Sequence, residues 1–415
     1  MIRVAEMFAG VGGFRVALDG YGKPGDAMYM PPAGDFETVW ANQWEPGPES
    51  RQFAWRCYEE RFGAGSCVNR DIEEVLDDFE AGKLEIPDFD MLVGGFPCQD
   101  YSVSKPAPMA KGIEGKKGVL WWSIYRMLEL KRPKYVLLEN VDRLLKSPTA
   151  KRGRDFAIML CCLTELGYSA EWMVVNAADY GFPQRRRRVY IFAMPRRADG
   201  TPQVLSSAFP FAQKGDLSYL KLPETPYVAS ETFGNAGKSP FLGYGRMDGR
   251  NVVTFDYEPR YDGPKSVLGD VLVPDSEVPG QFFIAEESIS RWEYLKGAKK
   301  EPRTARNGHE YVYSEGPIAF PDPVDRPSRT ILTSEGGTGA SRMKHVVVGG
   351  SGRLRRLIPD ELDALQGFPR GWTAGMSDNQ RAFCMGNALV VGIPHRIGLE
   401  LARCSKWTTT GDCKR

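Results

Sequence analysis

Residues 89–104 read FDMLVGGFPCQDYSVS. The run Phe89-Asp90-Met91-Leu92-Val93 is apolar and strand-like, and it stops at two glycines and a proline. Turn formers directly after such a run mark a strand's end. A structural cysteine packs among apolar neighbours, whereas Cys98 follows Pro97 and precedes Gln99, so it is placed in a loop rather than in a core. In an open parallel sheet, the loops beyond the carboxyl ends of the strands are where ligands sit.

Around this strand the chain alternates between two textures. Short apolar runs at 2–8, 38–41, 135–138, 170–175 and 189–193 are interleaved with helical stretches at 13–18, 121–130 and 155–166. The alternation predicts an α/β fold, a doubly wound, mostly parallel sheet with helices on both faces. After about residue 195, proline, glycine and aromatics become frequent and helical periodicity fades, with short β-like runs such as 252–255. The expected division is therefore 1–195 as the sheet domain, 196–374 as a second, smaller, mainly β or irregular domain, 375–405 as a helical segment returning to the first, and 406–415 as a frayed tail.

The chain has 415 residues, 42% hydrophobic and 26% charged, which suits a soluble globular protein with room for two domains. Glu6 interrupts the apolar start, and no basic region, apolar core and cleavage site follow in order, so no signal peptide, no membrane and a cytoplasmic location are expected. Eight cysteines lack any C-x-x-C pair and the three histidines are far apart, which supports neither a disulfide framework nor a metal site. A net charge of +1 rules out a protein that is basic all over but leaves room for a local basic face. Two stretches offer one: residues 184–197, with Arg185, Arg186, Arg187, Arg188, Arg196 and Arg197, and residues 336–359, with Arg342, Lys344, Arg353, Arg355 and Arg356, neither containing an acid. Charge alone favours a solvated surface over a phosphate-tracking groove.

Several residues at strand ends carry possible chemistry. Residues 8–14, FAGVGGF, let a backbone approach a ligand or simply turn tightly into a helix. The third glycine of G-x-G-x-x-G would fall at Arg15, which disfavours a nicotinamide dehydrogenase. At 42–45, NQWE stands where an adenosine-binding domain places a ribose-binding acid, and Trp44 suits either an adenine ring or the core. Asp71 suits an adenine amino group or the cap of a helix beginning at Ile72. The strand 135–138 delivers Glu139-Asn140-Val141, and period-2 alternation puts Gln184, Arg186 and Arg188 on one face with Arg185 and Arg187 on the other.

In that order FAGVGGF, GGFPCQ, ENV and QRRRR, with GNALV near the end, resemble the DNA cytosine-5 methyltransferases of prokaryotic restriction-modification type. The resemblance covers residues 1 to about 195 and 325–403. It implies an S-adenosylmethionine-dependent methyltransferase fold, with 1–195 as the catalytic and cofactor-binding domain and 196–374 as the target-recognition domain, including Arg329 and Thr330. It implies that the Cys98 thiolate adds to carbon-6 of a flipped-out cytosine, making carbon-5 able to attack the methyl of S-adenosylmethionine and leave S-adenosylhomocysteine. Glu139 matches the glutamate at the cytosine amino group and ring nitrogen 3, Arg188 the arginine at the ring oxygen, and Arg186 a neighbouring active-site arginine. Phe8, Gly10, Gly12, Trp44, Asp71, Ile72, Pro97, Leu120 and Asn387 fall on cofactor-lining positions. The family pattern has glutamate where Gln43 stands, which leaves the ribose hydroxyls to an amide or to Glu45, and the commoner serine where Ala388 stands. Residues 105–118, rich in Gly, Lys and Pro, fit either a loop that closes on DNA or a plain surface loop.

The resemblance implies double-stranded DNA as partner, nucleoid association, a cognate restriction endonuclease as functional counterpart, and a monomer that can modify both strands in two visits. A tRNA cytosine-5 methyltransferase is the second reading, and the long segment between Arg188 and Arg329 favours DNA because it leaves room for a recognition domain. A catalytically silent DNA-binding homologue would have no need of Cys98, Glu139 and Arg188 together.

Overall fold

The computed structural model describes residues 1–96, 120–197, 203–304 and 308–410, with side chains through residue 404 at the C-terminal end. Pro97, Cys98 and the 105–118 loop lie outside the described residues. Two compact units emerge: residues 1–180, 186–263 and 389–415 form one, and 181–185 with 264–388 form the other.

In the first unit, β1 (Ile2–Met7), β2 (Phe36–Asn42), β3 (Met91–Gly95), β4 (Tyr135–Val141), β5 (Tyr168–Asn176), β6 (Arg187–Pro195), β7 (Phe211–Lys221), β8 (Tyr244–Asp248) and β9 (Asn251–Pro259) build one sheet. Its order is β2-β1-β3-β4-β6-β5-β8-β9-β7. The strands β2, β1, β3 and β4 run parallel, as a doubly wound α/β sheet requires. From β6 onward every pairing is antiparallel. Residues 211–259, which the sequence reading assigns to a recognition segment, therefore extend this same sheet. Their β-like runs find unpaired backbone at the β5 edge, and an exposed edge is a ready template for further strands.

Helices α1 (Gly13–Asp19), α2 (Phe53–Phe62), α3 (Ile72–Glu80), α4 (Trp121–Lys131), α5 (Arg154–Glu165), α6 (Val204–Ala208) and α7 (Pro226–Thr232) follow the strands. Apolar side chains of α3, α4 and α5 form one buried cluster with Leu92, Val136, Leu138 and Ile191 of the sheet. The sequence is apolar through whole strands here, as expected of parallel strands covered on both faces.

The second unit carries α8 (Ile289–Lys296), the antiparallel pairs β10 (Lys299–Thr304) with β11 (Glu310–Glu315) and β12 (Val346–Val348) with β13 (Leu354–Arg356), then α9 (Pro359–Leu365) and α10 (Asp378–Asn387). The chain then re-enters the first unit through α11 (Gly392–Thr410), which packs on α1. His395 Nδ1 lies 2.9 Å from the Ala17 carbonyl, and at Gly398 a Cβ would come within 2.7 Å of Leu18.

Candidate active site

The glycine turn after β1 is built from three left-handed residues, with φ of 55° at Phe8, 57° at Gly10 and 86° at Gly12. A phenylalanine there is strained by roughly 1–3 kcal/mol, a cost borne only where the surroundings hold it. The two glycines serve different ends. A Cβ on Gly12 would strike the Phe62 ring at 2.4 Å, whereas one on Gly10 would meet nothing within 4 Å. Gly12 is thus a packing glycine, and Gly10 presents backbone that no described residue covers, the cradle a close-approaching ligand needs. Beneath the turn the buried Glu6 carboxylate accepts from Phe14 N at 3.1 Å and from the Tyr58 hydroxyl at 3.1 Å. Burial pushes Glu6 up to about 8, against the lowering pull of Tyr58 and Arg15.

At the end of β2, Gln43 Oε1 accepts from Gly10 N at 2.7 Å and Gln43 Nε2 donates to Glu45 Oε1 at 3.4 Å. The Gln43 amide is therefore a strut between the glycine turn and Glu45. Burial raises the Glu45 carboxyl and the Gln43 bond lowers it. Trp44 is half-buried beside them. Asp71 does cap α3, since its Oδ1 accepts from Glu73 N at 3.0 Å, while Ile72 is buried in the main core. Among the described residues no donor bonds Asp71 Oδ2, so capping and ligand binding are compatible.

β3 ends at Gly95 and Phe96, directly before the cysteine motif. Asn140 Nδ2 donates to the Phe96 carbonyl at 2.8 Å and ties that end to β4. Gly95 is the register partner of Glu139, and a Cβ on it would lie 3.3 Å from Glu139 Oε2. The second glycine of GGFPC keeps the space in front of the carboxylate. Leu120 is the residue before α4 and is partly buried against the core.

Across β4 and β6, Val141 pairs with Arg188 and Glu139 with Tyr190. Period-2 alternation then puts Glu139, Arg186 and Arg188 on one face. Arg188 Nε lies 3.0 Å from Glu139 Oε1 in an ion pair, and the buried Oε1 has no further donor among the described residues. Burial raises the Glu139 carboxyl, with Arg188 and then Arg186 opposing. Burial, and next the positive Arg188, pull the Arg186 guanidinium down to about 9, still cationic near neutrality. A carboxyl whose proton affinity is raised by burial beside a cation is suited both to hold a proton and to accept a hydrogen bond, the property needed opposite a ring nitrogen and its amino group.

Gln184 departs from this face. It belongs to the second unit, where it donates to the Leu365 carbonyl and Gln366 and accepts from Ile331 N. Arg329 pairs there with Asp322 at 2.7 Å, and Thr330 donates to the Arg185 carbonyl. Asn387 is exposed at the end of α10 in the same unit, and the neighbouring Gly386 is packed so closely on Thr333 that a Cβ would come within 2.2 Å of its nitrogen.

The basic segment 336–359 is neither the solvated surface nor the groove that its charge suggests. Lys344 donates to the carbonyls of Gly337 and Gly339, and Arg342 to those of Leu295, Gly297 and Gly316. Arg355, 1% exposed, makes two bonds to Glu361, and Arg356 reaches the carbonyls of Gly337 and Gln281. Only Arg353 in this set is exposed, its guanidinium 4.2 Å from the Phe283 ring centre.

Sequence reasoning missed Glu6, Gln43's tie to Gly10 and the spacing role of Gly95; a carboxylate inside an otherwise apolar strand was the signal for the first. Among the described cysteines, burial pushes the thiols of Cys67 and Cys162 up, and that of Cys161 to about 12, too high to ionise near neutrality. Among the described residues no group of three His, Cys, Asp or Glu could hold a metal, and no single helix is long and apolar enough to cross a membrane.

A family model described as C-5 cytosine-specific DNA methylase matches residues 2–403. The Type II methyltransferase M.Sau3AI of Staphylococcus aureus is 42% identical over 98% of this chain and 97% of its own length. M.HhaI of Haemophilus parahaemolyticus is 26% identical over 96% of this chain and 94% of its own. Among solved structures, the S. pombe Dnmt2 methyltransferase superposes with a TM-score of 0.59 at 15% identity, over 98% of this chain and 99% of that one, a likeness of fold.

Proposed function

The chain belongs to the C-5 cytosine-specific DNA methylase family, and from that premise we propose that it methylates carbon-5 of a flipped-out cytosine in duplex DNA as the modification arm of a restriction-modification system. The observation that carries this reading is the buried Glu139 carboxylate, raised by burial, paired with Arg188 and left, among the described residues, with no donor beyond that ion pair. A cytosine amino group supplies that donor, and the neutral acid supplies a proton to ring nitrogen 3.

Carbon-5 of cytosine is a poor nucleophile. In the proposed reaction the Cys98 thiolate forms a bond to carbon-6 while Glu139 gives its proton to nitrogen 3 and Arg188 holds the ring oxygen. The electron pair so placed on carbon-5 forms the new bond to the methyl group, whose bond to the donor sulfur breaks; loss of the carbon-5 proton to solvent then expels the thiolate, and nitrogen 3 returns its proton to Glu139. S-adenosylmethionine, the family's methyl donor, supplies the methyl as an electrophile. Gly10's bare backbone, the Trp44 ring, Asp71 Oδ2 and the Gln43–Glu45 pair would hold it, with Phe8, Gly12, Ile72, Pro97, Leu120 and Asn387 completing the set. A duplex hides its bases, so the target nucleotide is extruded to reach these groups.

The match to a DNA methylase family model over residues 2–403, with a whole-length relative named a Type II methyltransferase, favours DNA over tRNA as substrate. The partner nuclease and nucleoid association belong to the same proposal. DNA bearing 5-fluorocytosine at the target removes the step that loses the carbon-5 proton, so the wild-type chain should accumulate a covalent adduct that Cys98→Ser does not form. Absence of an adduct on every duplex tried, with cofactor binding verified by calorimetry, would overturn the reading.

A further inference from the structure

Directly beyond Glu139-Asn140-Val141 the first unit opens a cleft of roughly 380 Å3 lined by Asp142, Arg143, Lys146, Ser147, Thr149 and Arg152. The local fold fixes its walls. Residues Asp142–Lys146 form a short 3-10 turn whose Leu144 and Leu145 are buried in the core, which turns Arg143 and Lys146 outward. Ser147 donates to Asp155 Oδ2 at 2.6 Å, and Arg152 N donates to the Asn235 carbonyl at 2.8 Å. Both anchor the far wall.

The charges in the cleft are unbalanced. Asp142 lies 3.4 Å from Arg187 Nε. Arg143, Lys146 and Arg152 make no ion pair among the described residues. Three cations line the cleft beside two hydroxyl side chains, and among the described residues its one acid, Asp142, is paired with Arg187 instead. Cations at such a density repel one another, and a bound anion relieves that repulsion.

We propose that Arg143, Lys146 and Arg152 grip a backbone phosphodiester of the DNA beside the extruded nucleotide. The inference rests on the methylase reading above and adds a binding site to it. Asp142 is three residues from Glu139, a span of at most about 10 Å of chain, so an anion in the cleft sits close to the base held by Glu139. Phosphate contacts fix the register of a duplex without reading its sequence. A strand held next to its flipped nucleotide is positioned for the base to enter.

Equilibrium binding of the full-length chain to target and non-target duplexes over a salt series tests this with Arg143→Gln, Lys146→Gln, Arg152→Gln and Lys146→Arg. Each neutralisation should weaken both duplexes by a similar factor, and the slope of log affinity against log salt should become shallower by about 0.9 for every phosphate that is no longer gripped. Lys146→Arg should keep the wild-type slope. Unchanged slopes in variants that melt like wild type would overturn the proposal, as would a weakening confined to the target duplex or one seen with inorganic phosphate alone. Wild-type trapping on 5-fluorocytosine DNA, run alongside, separates the two readings: trapping with unchanged slopes sinks only the cleft, while failure to trap or bind any duplex sinks the methylase reading beneath it.

Discussion

In the first unit, Arg186 and Arg188 face the Glu139 carboxylate from an adjacent strand, and their charge acts on an acid that has an oxygen to spare. In the second unit, Arg342, Lys344, Arg355 and Arg356 are saturated by carbonyls and carboxylates of their own unit. Both stretches are rich in arginine and free of acids. They differ in what lies opposite: a strand register that presents one carboxylate at a time, or irregular loops whose carbonyls no ladder satisfies. Unpaired buried carbonyls are costly, and long cationic side chains are well suited to reach them. A basic run among loops is therefore structural mortar, whereas a basic run entering a strand is an array with a defined face.

The sharpest way to break this comparison is at Glu139. Glu139→Gln should lower the single-turnover methylation rate by roughly 10²–10⁴-fold, because the amide has no proton to give. The sign of the pH effect follows from the raised carboxyl: the neutral form is present at low pH and lost as pH rises through its folded value, so the wild-type rate should fall on the alkaline side and the variant's profile should lose that limb. In the second unit, Arg355→Ala removes the partner of a buried carboxylate and should destabilise the fold by about 3–5 kcal/mol, read as a lower denaturant midpoint. If it instead abolished DNA binding in a stably folded chain, the structural assignment of that segment would be wrong. Arg353→Gln is the smallest change, since its exposed stacking on Phe283 is worth at most about 1 kcal/mol, and both midpoint and DNA affinity should stay near wild type.

Legibility followed the range of the interactions. The end of β3 could be read because apolar runs and turn formers are local, and the shared face of Arg186 and Arg188 because alternation along a strand needs no knowledge of its partner. Gln184, three residues before the extended segment begins at Arg187, left that face because its amide is satisfied in the second unit by Leu365, Gln366 and Ile331. The strut from Gln43 to Gly10 depends on a left-handed turn 33 residues away in sequence, and no spacing rule marks it. Arg143, Lys146 and Arg152 do not stand out in the sequence because they are dispersed over ten positions directly after Asp142. Their imbalance shows only once Asp142 is seen beside Arg187.

The amino-acid sequence alone determined the α/β alternation, the strand ends and the chemical identity of the reactive groups, since periodicity and side-chain chemistry are properties of neighbouring residues. Tertiary structure decided which charges are available. Whether a guanidinium meets a carboxylate, a carbonyl or open space depends on segments tens of residues apart brought together by burial of the core, and among the described residues it is this long-range pairing that leaves Glu139 with Arg188 alone and the cleft beyond it with three cations and an acid already paired to Arg187.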